Sequence, residues 1–318
     1  MPCKSAVLWL ITAAASIPGV ISHGNNLPIN PELGVPGYPS CIRLHPELNL
    51  NVEDSAKDLF CSQTDSKQAS EDTIKIGCIG DSITAGVHSS GGVHPYPQQL
   101  QILLDESHGN GSYSVTNLGA CGSTMLKKSD SPYWTRSQFA TLTNYTWDII
   151  TIMLGTNDAK DPGDKGPNNW LHNCGGEDHT TLEGCSFASD YHDMIELVKT
   201  LGTTPGVPPK IYVMIPPPLM EQYSIGANQT VINNVFPNLI PLIEKANSDV
   251  VVKTIDVYQG MGGETNWRSD KKWPSSCVLN SSWTPCGWWC DSQSCDQCHP
   301  NDNGYTHLAH IVKDGLGL

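Results

Sequence analysis

The sequence has little positive charge: lysine and arginine together number 18, against 32 aspartate and glutamate residues in a chain of 318. The formal net charge is −14 at pH 7, and the isoelectric point is near 5.0. A protein of this charge is repelled by phosphates, which argues against nucleic acid or an anionic membrane surface as the main partner. Long hydrophobic runs are also missing after the N-terminus, where no segment approaches the ~20 apolar residues of a transmembrane helix. We therefore expect no stable membrane insertion.

The N-terminus has the pattern of a cleavable signal peptide over residues 1–22. Lys4 precedes an apolar stretch from Ala6 to Ile17, and small residues follow near Ser22. The apolar stretch is too short for a membrane anchor, so we expect a secreted, soluble product. Four N-glycosylation sequons, which matter only in a secreting eukaryote, begin at Asn110, Asn144, Asn228 and Asn280.

The rest of the chain divides at about residue 73. Residues 23–73 are rich in proline, glycine and polar residues, and they contain Cys41 and Cys61. A segment bracketed by cysteines is expected to stay against the body of the protein, which favours a retained N-terminal arm over a removable pro-segment. Residues 74–318 fit one large α/β domain with insertions, including a loop at 258–298 that is rich in tryptophan and cysteine.

The chain has twelve cysteines, and eleven would remain after signal cleavage. This number suits an oxidising compartment, and an odd count requires at least one thiol outside intramolecular disulfides. Cys78, in an apolar run, is the expected free thiol because buried cysteine behaves as a small hydrophobe. Cys41 with Cys61, and Cys174 with Cys185, are expected local pairs. The sequence leaves connectivity open, above all among Cys277, Cys286, Cys290, Cys295 and Cys298.

Apolar runs of strand length alternate with segments of helical periodicity. Five strands are expected. The first runs from Ile74 to the turn at Gly80, and the others are Tyr113–Leu118, Trp147–Leu154, Lys210–Ile215 and Val250–Val257. The expected helices are Gln98–Glu106, Phe187–Leu201, Val231–Ala246 with interruptions near Pro237 and Pro241, and Asn301–Leu316. The stretch from the end of the Tyr113–Leu118 strand to about Tyr145 is expected to be a loop, and so is the stretch from Asp158 to Cys185. Five strands in this alternation predict an α/β fold with a parallel sheet covered by helices on both faces.

The first strand ends abruptly at Gly80-Asp81-Ser82. Ligands bind outside the carboxyl ends of the strands in open α/β sheets, so a serine in a tight turn at that place is well positioned to be a nucleophile. The same letters would also suit a serine that only caps the following helix. This motif alone does not decide between the two interpretations.

Three further short motifs follow in order, and together with the first they resemble the SGNH hydrolase superfamily, also called GDSL esterases and lipases. The four blocks of that family carry a serine in Gly-Asp-Ser, a glycine, an asparagine in Gly-x-Asn-Asp, and an aspartate three residues before a histidine. Here the matching residues are Ser82, Gly119, Asn157, Asp296 and His299. The resemblance covers roughly residues 74–316, and the conjunction is far more specific than any one block.

The resemblance implies a three-layer, flavodoxin-like fold with strand order 2-1-3-4-5 and a serine esterase mechanism. Ser82 would attack the ester carbonyl, His299 would transfer the proton, and Asp296 would orient His299. The backbone N–H groups of Ser82 and Gly119 and the side-chain amide of Asn157 would form the oxyanion hole.

Asp81, next to Ser82, and Asp158, next to Asn157, are assigned structural roles. No metal or other cofactor is expected. Asp81 is expected to bond backbone groups around the nucleophile turn, and Asp158 to hold its own loop. The cysteines beside His299 could bind zinc. In a secreted chain, disulfides that rigidify the loop around Asp296 are the preferred interpretation.

The substrate is expected to be a small-molecule or glycan ester. Five of the nine tryptophans precede the histidine block, and indole faces suit stacking on sugars, which favours an O-acetyl carbohydrate esterase. The same tryptophans could instead form a small core of their own. Two alternatives stay open: a lipase or lysophospholipase for longer acyl chains, and a catalytically inactive glycan-binding protein.

Overall fold

A computed structural model describes residues 73–160, 170–176, 181–220, 226–247, 252–263, 286–289 and 297–318. The predicted signal peptide, the arm up to residue 72, Asp296 and most of the loop at 258–298 lie outside the described residues. The proposed division of the chain into these segments therefore stays a prediction. Among the described helices, none is long and apolar enough to cross a membrane.

The five predicted strands form one parallel sheet. The strands are β1 Ile74–Gly80, β2 Tyr113–Gly119, β3 Ile149–Met153, β4 Lys210–Ile215 and β5 Val252–Asp256. Their order is β2-β1-β3-β4-β5, as the resemblance implied. Gly80 pairs with both Gly119 and Met153, so the carboxyl ends of the three adjacent strands meet at one edge. This register brings the loops after these strands together.

Helices connect and cover the strands. They are α1 Ser82–Ala85, α2 Tyr96–His108, α3 Ser137–Asn144, α4 Trp170–Cys174, α5 Ser186–Val198, α6 Phe236–Ala246, α7 Val257–Gly260 and α8 Asp302–Leu316. Residues on β3 alternate between two buried clusters: Ile150 and Ile152 face α3, α5 and α6, whereas Ile149 and Met153 face α2 and α8. This period of two, with apolar residues on both faces, produces the predicted three layers.

Three local predictions were wrong. Helix α3 lies in a stretch that was expected to be a loop. The sequence did not predict this helix because only Leu142 of its eight residues is buried, so the apolar periodicity is weak. Helix α4 lies in the other predicted loop, where its five residues are too few to show a period. The helix from Val231 changes next to Pro237, where a π-helical segment ends and α6 begins, but it is not interrupted at Pro241, which is accommodated inside α6.

Candidate active site

Ser82 is the first residue of α1 and directly follows the β1 turn. The Asp81 carboxylate caps this short helix by accepting a hydrogen bond from the N–H of Ile83 at 2.9 Å. A side chain at Gly80 would lie 1.9 Å from the Thr84 hydroxyl, so the turn requires glycine there. Ser82 is only 7% exposed, which places its hydroxyl in a largely water-excluded position.

His299 meets the serine across 217 positions of sequence. Its Nε2 lies 2.8 Å from Ser82 Oγ, and the His299 side chain is also 7% exposed. The histidine just precedes α8, which begins at an Asn301 cap whose amide donates to the carbonyl of Gly287 at 3.0 Å. On the other side, the Gln297 carbonyl accepts a hydrogen bond from the Met220 N–H at 2.9 Å. The backbone carrying His299 is thus held at both ends, and the pair has the geometry of a nucleophile and its general base.

Asn157 lies at the carboxyl end of β3, beside the nucleophile turn. Its Nδ2 lies 3.3 Å from the Asp81 carboxylate and 3.1 Å from the carbonyl of Ser123, and the residue is 2% exposed. The loop containing Ser123 follows β2 and is joined to β1 by the Ala120 N–H, which donates to Gly80. The structure therefore gathers the Ser82, Asn157 and β2 blocks around the same strand ends.

Asp81 bonds the backbone of its own turn, as predicted, whereas Asp158, which was expected to hold its own loop, bonds the backbone of the loop after β2. The two Asp158 oxygens accept from the N–H groups of Met125 and Leu126, at 3.0 and 2.8 Å. Burial raises the pKa of Asp158 to about 7, against the effect of those hydrogen bonds. Burial likewise raises the pKa of Asp81 to about 6, while its Ile83 hydrogen bond and the nearby His299 act in the opposite direction.

Residues 78–307 match the family described as the GDSL-like Lipase/Acylhydrolase family, and this range is well over half of the chain. The chain belongs to this family. The match confirms the predicted relationship to the SGNH hydrolase superfamily, and it agrees with the predicted ester hydrolase, since the family is described as one of lipases and acylhydrolases.

One curated relative of this GDSL-family chain is named as an esterase. It is 27% identical over 256 residues to an acetylxylan esterase of Xylanibacter ruminicola, which covers 76% of this chain and 43% of the relative. The chain thus spans less than half the length of that curated relative.

A solved structure with a TM-score of 0.50 has the same fold. The aryl esterase of M. Smegmatis is 17% identical with a TM-score of 0.50, over 77% of this chain and 99% of that one. An acetyl xylan esterase named AlAXEase is 19% identical with a TM-score of 0.48, over 76% and 98%.

Gly119 of this GDSL-family chain has a packing role that the sequence did not indicate. Its N–H donates to Asn117 Oδ1 at 2.9 Å, so this predicted oxyanion donor already has a partner inside the protein. An added Cβ would lie 2.2 Å from the backbone nitrogen of Ala85 in α1. Glycine is therefore needed for the close approach of α1 to β2. Its role as a donor stays a prediction.

Gly122 is a second candidate donor, which sequence reasoning missed. It has a φ of 73° and lies next to Ser123, whose carbonyl contacts Asn157. Within the described residues, the N–H of Gly122 donates no hydrogen bond. The sequence offered a signal, since one glycine ends β2 and another lies three residues later, but the sequence could not choose between them.

Two of the five tryptophans that were expected to stack on sugars lie in the described residues, and both are packed into the fold. Trp289 is fully buried in the cluster beneath α2 and α8. Trp288 is half-buried and stacks on His307, with ring centroids 4.1 Å apart. These two indoles fit the alternative interpretation, a core of their own, because Trp289 is fully buried and Trp288 already stacks one face on His307. The other three tryptophans lie outside the described residues.

The cysteine predictions have mixed outcomes. Cys78 is a buried free thiol, and Cys174 is bonded to Cys185, as expected. Cys298 is a buried thiol, so the expectation that a disulfide through this residue staples the histidine loop is wrong. Cys277, Cys290 and Cys295 lie outside the described residues. In the described part of the chain, no three His, Cys, Asp or Glu side chains are grouped to hold a metal ion.

Proposed function

We propose that this chain is a secreted serine esterase that hydrolyses O-acetyl groups on carbohydrates through Ser82, His299 and Asp296. The observation that carries the proposal is the 2.8 Å contact between His299 Nε2 and Ser82 Oγ. A hydroxyl is a weak nucleophile at neutral pH, and a neutral imidazole at this distance can take its proton as attack begins.

In this mechanism, Ser82 forms an acyl-enzyme and His299 returns the proton to the leaving alcohol. Water then attacks the acyl-enzyme with His299 again as base. Asp296 lies outside the described residues, and its part is proposed from its position three residues before His299. A carboxylate there would orient the imidazole and stabilise its charged form.

Negative charge on the former carbonyl oxygen requires donors already directed toward it. The proposed donors are the N–H of Ser82, the amide of Asn157 and the N–H of Gly119 or Gly122. The packing of Asn157 beside Asp81 supports its inclusion, since a pre-oriented amide costs no reorganisation during the reaction. One such donor is worth about 100- to 1,000-fold in rate.

Acetyl groups on carbohydrates are the proposed substrate for two reasons. The curated relative is named an acetylxylan esterase. Ser82 and His299 expose little surface, which favours a short acyl group. Secretion is proposed from the signal-peptide pattern and is supported by the disulfide between Cys174 and Cys185, since such bonds persist in oxidising compartments.

The first test is mutational. Ser82→Ala and His299→Ala are each expected to lower kcat on acetyl esters by about 10⁴-fold or more, with unchanged far-UV circular dichroism. The double variant should be no slower than the worse single one, because the two groups act as one proton-transfer unit. A double variant far slower than both would contradict a shared mechanism.

The acyl and alcohol specificity needs a separate test. Rates on p-nitrophenyl esters of increasing chain length should fall beyond acetate, and acetylated xylo-oligosaccharides should release acetate. Faster turnover of long-chain esters would instead establish a lipase or lysophospholipase. A serine-directed phosphonate that labels the wild type no better than Ser82→Ala would establish an inactive binding protein. Chelators are expected to leave activity unchanged, and recovery of lost activity by zinc would contradict the metal-free mechanism.

A further inference from the structure

Two residues other than glycine have a positive φ in the described part of the chain, and both lie beside His299. Gln297, with a φ of 65°, is two positions before it in sequence, and His88, with a φ of 70°, stacks on its ring. L-residues with side chains rarely adopt this conformation, which persists only when the surroundings enforce it. Such outliers gather at functional sites, so their position here points to a role in the reaction.

The segment around His88 is held from both sides. The Val87 N–H donates to the carbonyl of Ser82 at 3.0 Å, and the Val87 carbonyl accepts from the Tyr305 hydroxyl at 2.6 Å. Beyond the histidine, the N–H of Ser90 donates to the Asp302 carboxylate at 2.8 Å. The loop is therefore attached to α1, which carries the nucleophile, and to α8, which follows the catalytic histidine.

The ring of His88 packs against the ring of His299. The centroids are 5.3 Å apart and the planes are inclined by only 28°. A glycine or asparagine would satisfy the left-handed backbone with less strain, so the backbone alone does not explain a histidine at this position. Because His88 contacts only a face of the His299 ring, both ring nitrogens of His299 stay available for hydrogen bonds.

We propose that His88 is a positioning residue of this esterase, which holds the His299 ring so that Nε2 stays directed at Ser82 Oγ. The inference rests on the proposed function, because it presumes that His299 is the general base. His299 must accept a proton from Ser82 and then present it to the leaving alcohol. A ring restrained on one face stays aligned through both steps, whereas an unrestrained ring samples rotations in which Nε2 is displaced.

The test compares His88→Asn with His88→Phe. Asparagine tolerates a positive φ but has no ring, whereas phenylalanine keeps a ring face and has a less suitable backbone preference. We expect His88→Asn to lower kcat on p-nitrophenyl acetate by about 10- to 100-fold with KM nearly unchanged, because small misplacements of a reacting group cost rates of this size. His88→Phe should keep kcat within a few-fold of the wild type. A residue that only shaped the loop would give the reverse order.

Controls separate positioning from folding and from substrate contact. His94→Asn, an exposed histidine in the same loop, should leave kcat unchanged. His88→Gly provides a second ringless variant and should match His88→Asn in kcat while keeping the melting temperature.

Wild-type kcat in either ringless variant would overturn the proposal. Equal losses in His88→Phe and His88→Asn would overturn it too, as would a change confined to KM on acetylated oligosaccharides, which would make His88 a substrate contact. Failure of the proposed function would give a different result: the wild-type protein would neither hydrolyse esters nor react with a serine-directed phosphonate. The positioning role of His88 would then be refuted as well.

Discussion

At the scale of single residues, the contact between Ser82 and His299 lies near two buried carboxylates that accept hydrogen bonds from the backbone. Asp81 caps the helix that begins with Ser82, and Asp158 holds the loop that follows β2. A buried carboxylate is costly when charged unless hydrogen bonds compensate for the lost water. Both carboxylates accept backbone hydrogen bonds, yet burial still raises the pKa of each, to about 6 and about 7.

The raised pKa of Asp158 predicts a pH-dependent stability. An aspartate titrates near ~3.9 in the unfolded chain and here near 7 in the folded one. Between these values the folded state binds more protons, so the free energy of unfolding falls as pH rises through this window. Asp158→Asn has no proton to bind and should lack this component of the slope.

We therefore expect the stability of the wild type relative to Asp158→Asn to decrease by about 1–4 kcal/mol from pH 4 to pH 8. Urea unfolding at several pH values measures this difference. The exposed Asp314→Asn serves as the control and should run parallel to the wild type. If Asp158→Asn also ran parallel to the wild type, the raised pKa would be refuted.

At the scale of elements, the site depends on how closely α1 approaches the ends of β1 and β2. Glycines at the ends of both strands leave room for the helix, Gly80 for the Thr84 side chain and Gly119 for the backbone at Ala85, and the parallel register puts the two glycines opposite each other. The short helix could not sit there against larger residues. The position of α1 determines where the Ser82 hydroxyl lies relative to α8.

Gly119→Ala is predicted to disturb the nucleophile through the fold. Its Cβ would lie 2.2 Å from the backbone nitrogen of Ala85, so α1 must shift. We expect a loss of about 1–3 kcal/mol in the free energy of unfolding and a marked fall in kcat. Gly287→Ala, where no atom lies within 4 Å of the added Cβ, should change stability by less than about 0.5 kcal/mol. Wild-type kcat and stability in Gly119→Ala would contradict the packing role.

At the scale of the whole molecule, the fold sorts the sequons by exposure. Asn110 and Asn144 are exposed, whereas Asn228 is 4% exposed and its Oδ1 accepts a hydrogen bond from the N–H of Thr230 at 2.9 Å. A glycan is bulky and hydrophilic and cannot occupy a buried position. The sequence pattern alone treats these three asparagines as equivalent.

Secretion from a eukaryotic host should therefore yield protein glycosylated at Asn110 and Asn144 and unmodified at Asn228. Glycopeptide mass spectrometry of the folded, active protein measures the occupancy at each position. Asn144→Gln should remove one glycan without loss of activity. A glycan found on Asn228 in active protein would contradict the buried position of this side chain.

The sequence by itself determined the strands, their parallel α/β arrangement and the family, because these depend on local periodicity and on short motifs that survive in one dimension. It also indicated Cys78 as the free thiol and paired Cys174 with Cys185. It missed α3 and α4, since neither short helix has enough apolar residues to show a period.

Only the tertiary structure decided which groups meet at the strand ends. The contact of Ser82 with His299 spans 217 positions, and the stacking of His88 on His299 joins two loops that are far apart in the sequence. The packing of Gly119 against Ala85, and the covering of Trp288 and Trp289, likewise have no signature in spacing. Such contacts depend on where the sheet register and the helix positions bring distant backbone segments, and short motifs carry no information about those distances.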